Sequence, residues 1–431
     1  MKNENTAVVT PPGGSRTLRL WRLLGPGFIT GASDDDPSGI GTYAIAGASF
    51  GFATLWTALV TFPMMAAVQF ICAKVGMVSG EGLGSVLRKS YSRKIVYPAI
   101  IALVVANTIN AGADIGAIAA ALNIFLPIPI GILILPITGL ILVVQIWGSY
   151  RLIASIFKWL TLSLLAYIAS AFFAHPDFSA VLRGTFIPQF RLDSKFFSVL
   201  VAILGTTISP YLFFWQSSQE VEEEIAIGRR RLWQRQGATD DELKRAAWDV
   251  NLGMFFSNLV MYFIILATGA TLFRAGRRDI QSATQAAEAL RPLAGHFAEM
   301  LLAAGLIGAG MLAVPILTGS SAYAFAEIAR WRRGLDEKPH RAKNFYIFIA
   351  VSTLAGMLIN FIGINPISAL FWTAVLNGFV APPLLLLLML ISNNPTMMGN
   401  RVNGPFVNFL GWLTTLVMFA AAIGLIVTWN N

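Results

Sequence analysis

Apolar runs of about 20 residues, the length a helix needs to cross a bilayer, recur along the whole chain between short polar or charged stretches. They predict helices near 18–50, 52–77, 95–124, 126–148, 150–174, 195–224, 246–273, 296–327, 343–362, 366–391 and 405–428. Two of these eleven runs interrupt themselves. The first is broken by Ser33-Asp34-Asp35-Asp36-Pro37-Ser38-Gly39-Ile40-Gly41. The sixth is broken by Gly205-Thr206-Thr207-Ile208-Ser209-Pro210-Tyr211, with Pro210 following Pro37 by 173 residues.

Composition supports a polytopic membrane protein: 56% of the 431 residues are hydrophobic and 12% charged, and mean hydropathy is +0.66. Charge then supplies orientation, because cytoplasmic loops carry the excess of Lys and Arg. With the N-terminus inside, 23 of the 31 basic residues fall in cytoplasmic segments, 7 in external loops, and Lys158 within the fifth span. The net charge of +9 therefore reads as topology and attraction to anionic lipid, not as nucleic-acid binding. The expected location is the plasma (cell inner) membrane, with the C-terminus external if eleven helices form. No cleaved signal peptide is expected, since Met1 to Arg22 is Gly/Pro-rich and charged. The single cysteine, Cys72, excludes a disulfide framework or a cysteine metal cluster and is expected to be a packing residue.

The two interruptions carry the chemistry. A charged side chain at membrane depth costs at least about 2.5–3.5 kcal/mol, so carboxylates there call for a cation, a cavity or a partner. Paired broken helices in the two halves of a chain mark the binding site of transporters built on inverted repeats. Each proline removes an amide donor and is expected to free backbone carbonyls as oxygen ligands.

Gly25-Pro26-Gly27-Phe28 followed by Asp36-Pro37-Ser38-Gly39 resembles the first helix of the NRAMP divalent-metal transporters, whose signature there is Asp-Pro-Gly-Asn. Gly205 to Leu212 resembles their sixth-helix segment ending Met-Pro-His-Asn. The resemblance implies an all-α, LeuT-like fold: a tail at 1–17, inverted five-helix repeats at 18–174 and 195–391, and an additional helix at 405–428. It implies that Asp36 is the metal-binding carboxylate, that Gly39 stands where the family has an Asn ligand, and that Ser209 replaces its Met. The expected metal site is Asp36, Ser209, Gly39, Ser33 and Thr206. It is an oxygen site without sulfur, which suits hard Mg²⁺, Ca²⁺ and Mn²⁺. Loss of two side-chain ligands widens it, which suits Mg²⁺ because that ion keeps several waters. The family's two sixth-helix histidines align with Tyr211 and Gln216. With His175, His296 and His340 all at loops or span ends, the pattern looks like the NRAMP-related magnesium branch, without proton coupling.

Other polar residues at depth have two readings. Asp114 and Asn110 of the third span either line the ion path or bond a neighbouring helix. Asp34 and Asp35 cannot both accompany Asp36 onto one ion if the segment is helical, since successive residues point about 100° apart. They are expected to be vestibule counter-charges, partners of a neighbouring helix, or ligands through water. Gln216, Gln219, Glu220 and Glu223 share one helical face that could line the exit, or the glutamates simply end the helix and pair with Arg229 to Arg231. Asp249, Asn251 and Asn258 are candidates for the inner vestibule or for interhelical bonding. Gly305 to Gly310 reads as helix packing, not a nucleotide loop.

No cofactor is expected beyond the transported ion; the partners are divalent metal ions and lipid, with oligomeric state open. Competing readings are a proton-coupled Mn²⁺/Fe²⁺ transporter, a Na⁺-coupled small-molecule symporter, a channel, and a membrane aspartyl enzyme. Three aspartates would repel a substrate carboxylate, nothing beyond Asp36 and Asp114 resembles the enzyme, and paired breaks favour a carrier over a channel.

Overall fold

A computed structural model describes residues 25–148, 166–280, 283–291 and 295–429. The tail at 1–17, the start of the first span at 18–24, and residues 150–165 of the fifth span, with Arg151 and Lys158, lie outside the described residues. Every regular element among the described residues is helical.

The first span is two half-helices, α1 (Pro26–Asp34) and α2 (Pro37–Phe50). There follow α3 (Trp56–Ser79), a short α4 (Leu83–Ser90), α5 (Arg93–Asn123) and α6 (Ile130–Trp147). Next come α7 (Ala166–Phe173) and α8 (Phe178–Phe186). The sixth span is again split, into α9 (Ser194–Thr207) and α10 (Pro210–Ala226). The chain continues with α11 (Asp240–Thr268), α12 (Ala298–Ala329), α13 (Lys343–Ile359), α14 (Pro366–Ser392) and α15 (Pro405–Thr428).

Nine described segments are long and apolar enough to cross a membrane. The first span is not among them because every 18-residue stretch of Pro26–Phe50 contains Asp34, Asp35 and Asp36. The split sixth span lies at the centre of the bundle, 89% buried, whereas Ile130–Trp147 and Lys343–Ile362 are each 33% buried and belong to the periphery. Around it α5 packs on α12, α9 on α14, and α1 on α11.

The prolines sit at the first helical position of α2 and α10, where the missing amide would have been unpaired in any case. They start second half-helices and do not kink continuous ones. Three of the carbonyls at the breaks are claimed by hydroxyls. Ser209 Oγ donates to Thr206 O at 2.6 Å and Gly205 O at 3.1 Å, and the Tyr211 hydroxyl donates to Ser33 O at 2.9 Å. Cys72 is buried in the core as expected. Gly310 packs against Ile118 and Pro37, which is the helix contact expected of the 305–310 segment.

Candidate metal centre

Asp36 is the residue on which the first break turns. It is the N-cap of α2, with extended backbone, and its Oδ1 accepts Gly39 N at 2.6 Å and the Ser38 hydroxyl at 3.0 Å. Its Oδ2 accepts Asn110 Nδ2 from α5 at 3.2 Å. A carboxylate at a helix N-terminus is favoured by the unpaired amides and the helix dipole, which lowers the cost of keeping it charged in the bilayer. Asp36 and Ser209 are each 1% exposed, so in this conformation the centre is closed to solvent.

The sixth-span break faces it. A methyl group at Gly39 would lie 3.1 Å from Thr206 Oγ1, 3.3 Å from Asp36 Oδ1 and 3.4 Å from Asp34 O. Gly39 thus lets Thr206, Asp36 and the Asp34 carbonyl share one small space. Thr206 Oγ1 and the Tyr43 hydroxyl lie in the same region, neither in a well-formed hydrogen bond. Asp114 on α5 is fully buried, both its oxygens lack a side-chain partner, and it lies beside Asp36 and the Ser38 amide. Asp114 thus faces both the first-span break and, through the Ser38 amide, the neighbouring helix α2.

Two expected oxygen donors are already committed. Ser33 donates its hydroxyl to Ile29 O and Thr30 O, and its carbonyl accepts Tyr211. Ser209 has given its proton to α9, leaving its lone pairs free. Among the described residues no three His, Cys, Asp or Glu side chains converge as a ready ligand set. An ion here would meet one or two carboxylates, hydroxyls, a carbonyl and water.

Asp34 and Asp35 do not diverge as helical residues would, because the helix ends at Asp34. Both turn to one residue of α11: Ser257 Oγ lies 2.7 Å from Asp34 Oδ2 and 3.2 Å from Asp35 Oδ1. Both are buried, so they are partners of a neighbouring helix and not charges in an open vestibule. Among the described residues no Lys or Arg pairs with Asp34, Asp35, Asp36 or Asp114.

Toward the end of the bundle carrying Arg229 to Arg231, a chain of polar contacts continues from the centre. Thr30 bonds Gln216 Oε1, and Gln216 Nε2 donates to Glu220 Oε1 at 2.9 Å. Gln216 and Glu220 are buried and Glu223 is exposed, so their shared face runs from the interior to the surface. Glu224 takes the helix-ending role, pairing with Arg229 at 2.6 Å, and Glu242 holds the same guanidinium at 2.7 Å. These two carboxylates, Glu242 foremost, hold Arg229 above its ordinary basic range.

Of the three polar residues singled out on α11, two bond neighbouring helices and one faces out. Asn258 bridges to α3, through Thr61 and Ala58 O, and Asn251 is exposed and bonds its own helix at Ala247 O. Asp249 also bonds a neighbouring helix: its carboxylate accepts Gly25 N at 2.9 Å and Gly27 N at 2.7 Å, capping α1. Below that cap α1 and α11 touch backbone to backbone; a methyl at Gly31 would sit 2.3 Å from the Gly253 carbonyl carbon. Ser257 and Asn377 were missed. Asn377 is a buried amide on α14 with no hydrogen-bond partner, and its only signal is one polar residue within an apolar run.

A cavity of about 310 Å³ between α5, α13 and α14 is separate from this centre; Ile109, Ala113, Asn360 and Trp372 are among the residues around it, and its lining is mainly apolar.

The family model described as natural resistance-associated macrophage protein-like, Nramp, matches residues 27–428. Among solved structures, the manganese transporter of Eremococcus coleocola in complex with an aromatic bis-isothiourea substituted compound superposes with a TM-score of 0.77 at 18% identity, over 97% of this chain and 89% of that one. A mutant of the same transporter gives 0.72 at 19%, with the same coverage. Mhp1, a nucleobase-cation-symport-1 family transporter in a closed conformation, gives 0.60 at 13%, over 94% and 90%.

Proposed function

Because this chain belongs to the Nramp family of metal transporters, we propose that it imports Mg²⁺, and accepts Mn²⁺, as a partly hydrated ion without coupling to protons. The observation that carries the reading is the donor set at the breaks: Asp36 and Asp114, Thr206 and Ser209 hydroxyls and the Asp34 carbonyl, without sulfur or imidazole. Oxygen donors select hard cations. A centre with few direct ligands favours an ion that keeps its water, as Mg²⁺ does.

In this reading Asp36 is the direct anchor, pre-oriented by Gly39, Ser38 and Asn110. Asp114 supplies the second negative charge, so a divalent ion is matched. Tyr211 and Gln216 stand where the family has histidines. Tyr211 is committed to Ser33 O and Gln216 to Thr30 and Glu220. Neither side chain exchanges protons near neutral pH as histidine does. Uptake then runs on the membrane potential, which gives about 2.3 kcal/mol per charge per 100 mV. The basic end of the bundle is the cytoplasmic face, and the Gln216–Glu220–Glu223 face is the exit.

The test is Mg²⁺ uptake into proteoliposomes at fixed negative potential, with lumenal pH recorded, for wild type and Asp36→Ala. Saturable, Asp36-dependent uptake without acidification is expected. No Mg²⁺ uptake, with Mn²⁺ entry that acidifies the lumen, would overturn it in favour of proton-coupled Mn²⁺/Fe²⁺ transport.

A further inference from the structure

The cavity between α5, α13 and α14 has no part in that reading. Its volume of about 310 Å³ lies in the range of small-molecule sites, and an empty void of that size is costly in a packed protein. Among the described residues that line it none is charged, and the polar side chains are Asn360, Thr373 and the indole of Trp372. Two of these are already bonded: Asn360 Nδ2 donates to Gly112 O at 2.8 Å, and Thr373 Oγ1 donates to Leu370 O at 2.8 Å. A cavity with so little to hold water takes up apolar matter instead.

Its place decides what reaches it. α13 and α14 belong to segments long and apolar enough to cross a membrane, and Trp372 at the cavity rim is 48% exposed, so the opening is on the lipid side of the bundle. Trp372, near the start of α14, lies against Trp429 at the end of α15, with ring centres 5.9 Å apart. Tryptophans at span ends mark the headgroup level, so the cavity sits where headgroups give way to acyl chains. Two of its walls back onto the ion centre. Ile109 and Ala113 line it from α5, while Asn110 and Asp114, each one residue on, face Asp36. On α14, Leu370 packs against α2, since a methyl at Gly41 would lie 3.4 Å from Leu370 Cδ1. The spacing of α5 and α13 is fixed by backbone contact, a methyl at Gly112 lying 2.4 Å from the Gly356 carbonyl oxygen. Filling or emptying the cavity therefore shifts α14 against α5.

We propose that this cavity binds one acyl chain of a phospholipid from the leaflet opposite the basic end, and that the bound chain holds α5 and α14 in the closed arrangement. A ligand favours the state that contains its site, so the chain slows opening and brakes transport. The occupant is a chain and not a headgroup or an ion, because nothing charged lines the cavity. The inference goes beyond the choice of ion and does not depend on it.

The probe is a phosphatidylcholine carrying a photoactivated diazirine within one acyl chain, mixed into proteoliposomes of the full chain, with labelled peptides mapped by mass spectrometry. Labelling of the cavity segments 109–113 and 359–376 should exceed by several-fold that at Ile132 and Leu135, residues near the start of α6 in the same leaflet that are 58% and 55% exposed. Ala369→Phe, which fills the cavity from α14, should bring cavity labelling down to the α6 level and lower Mn²⁺ uptake by about fivefold or more, the smaller end of coupling between two sites. Equal labelling of cavity and α6 in wild type overturns the site. Strong cavity labelling with uptake unaltered by Ala369→Phe overturns the brake, and either result leaves the ion reading standing. A wild type that labels at the cavity yet carries neither Mg²⁺ nor Mn²⁺ sinks the ion reading and keeps the site. Should Ala369→Phe fail to fold, Ala113→Leu fills the same space from α5, and undiminished labelling in that variant overturns the proposal.

Discussion

Asp249→Ala should unlatch the first half-helix. The Asp249 carboxylate accepts two amides at the start of α1, Gly25 N at 2.9 Å and Gly27 N at 2.7 Å, and those amides have no intrahelical acceptor. Loss of a capping side chain costs about 0.5–2 kcal/mol, and hydrogen bonds to a charged group are worth about 1.5–3 kcal/mol each when fully buried. Asp249 is only partly buried, so about 2 kcal/mol is a fair sum. If α1 must leave α11 for the ion to escape, this biases the closed state by roughly 30-fold, at 1.4 kcal/mol per factor of ten. The assay places a lone cysteine at the closed centre, Ser33→Cys in a Cys72→Ser background, and follows its reaction with an impermeant thiol reagent applied from the basic side. Asp249→Ala should raise the labelling rate by about 10- to 100-fold. Asp249→Asn, which keeps a capping oxygen, should restore most of the protection. An unchanged rate in folded Asp249→Ala, or equal rates for Ala and Asn, would refute the latch.

Four further outcomes follow from the same geometry. Asp36→Asn should abolish uptake while changing the melting temperature little, because Asn caps α2 as well as Asp does; a large loss of stability would mean the charge itself holds the fold. Gly39→Ala places a methyl 3.1 Å from Thr206 Oγ1 and should depress uptake of the more strongly hydrated Mg²⁺ more than that of Mn²⁺, read as a ratio in competition. Gly31→Ala forces α1 away from the Gly253 carbonyl and should cost about 1–3 kcal/mol as overpacking, seen as a lower melting temperature together with faster labelling at position 33. Ser209→Met supplies a thioether and should shift competition toward Cd²⁺; an unchanged ranking would show that residue 209 does not touch the ion.

Nine of the spans and both breaks were legible because they depend on local sequence: apolar length for the first, and a proline preceded by a capping-type residue for the second. Asp36-Pro37 and Ser209-Pro210 read as helix starts whatever surrounds them. What followed the breaks was less legible. The angular argument for Asp34 and Asp35 assumed a helix, and the helix stops at Asp34, so both turn to Ser257, more than 220 residues away. Three of the carbonyls expected to be free are claimed by hydroxyls, Tyr211 across the molecule and Ser209 within its own turn, and composition does not say which hydroxyl will reach. Asn258 and Asn251 look alike in sequence; one faces α3 and the other faces out, which depends on how α11 is rotated against its neighbours. Asp249 was visible as a charge near a span end, but its role needed the position of α1.

Tyr211 joins three helices at one residue: its hydroxyl holds Ser33 O of α1, and its own carbonyl accepts Ser320 Oγ of α12 at 2.6 Å. With Asp249 at the opposite end, α1 becomes a lever of nine residues, about 13 Å long at 1.5 Å per residue, with a fulcrum beside the carboxylates and a catch at its tip. A tilt of about 20° about that fulcrum moves the tip by roughly 4–5 Å on this length, more than the width of a water molecule. The ion's own surroundings barely shift in such a stroke. On the proposed reading, depth in the membrane and direction of exit are thereby set by different ends of the same short rod.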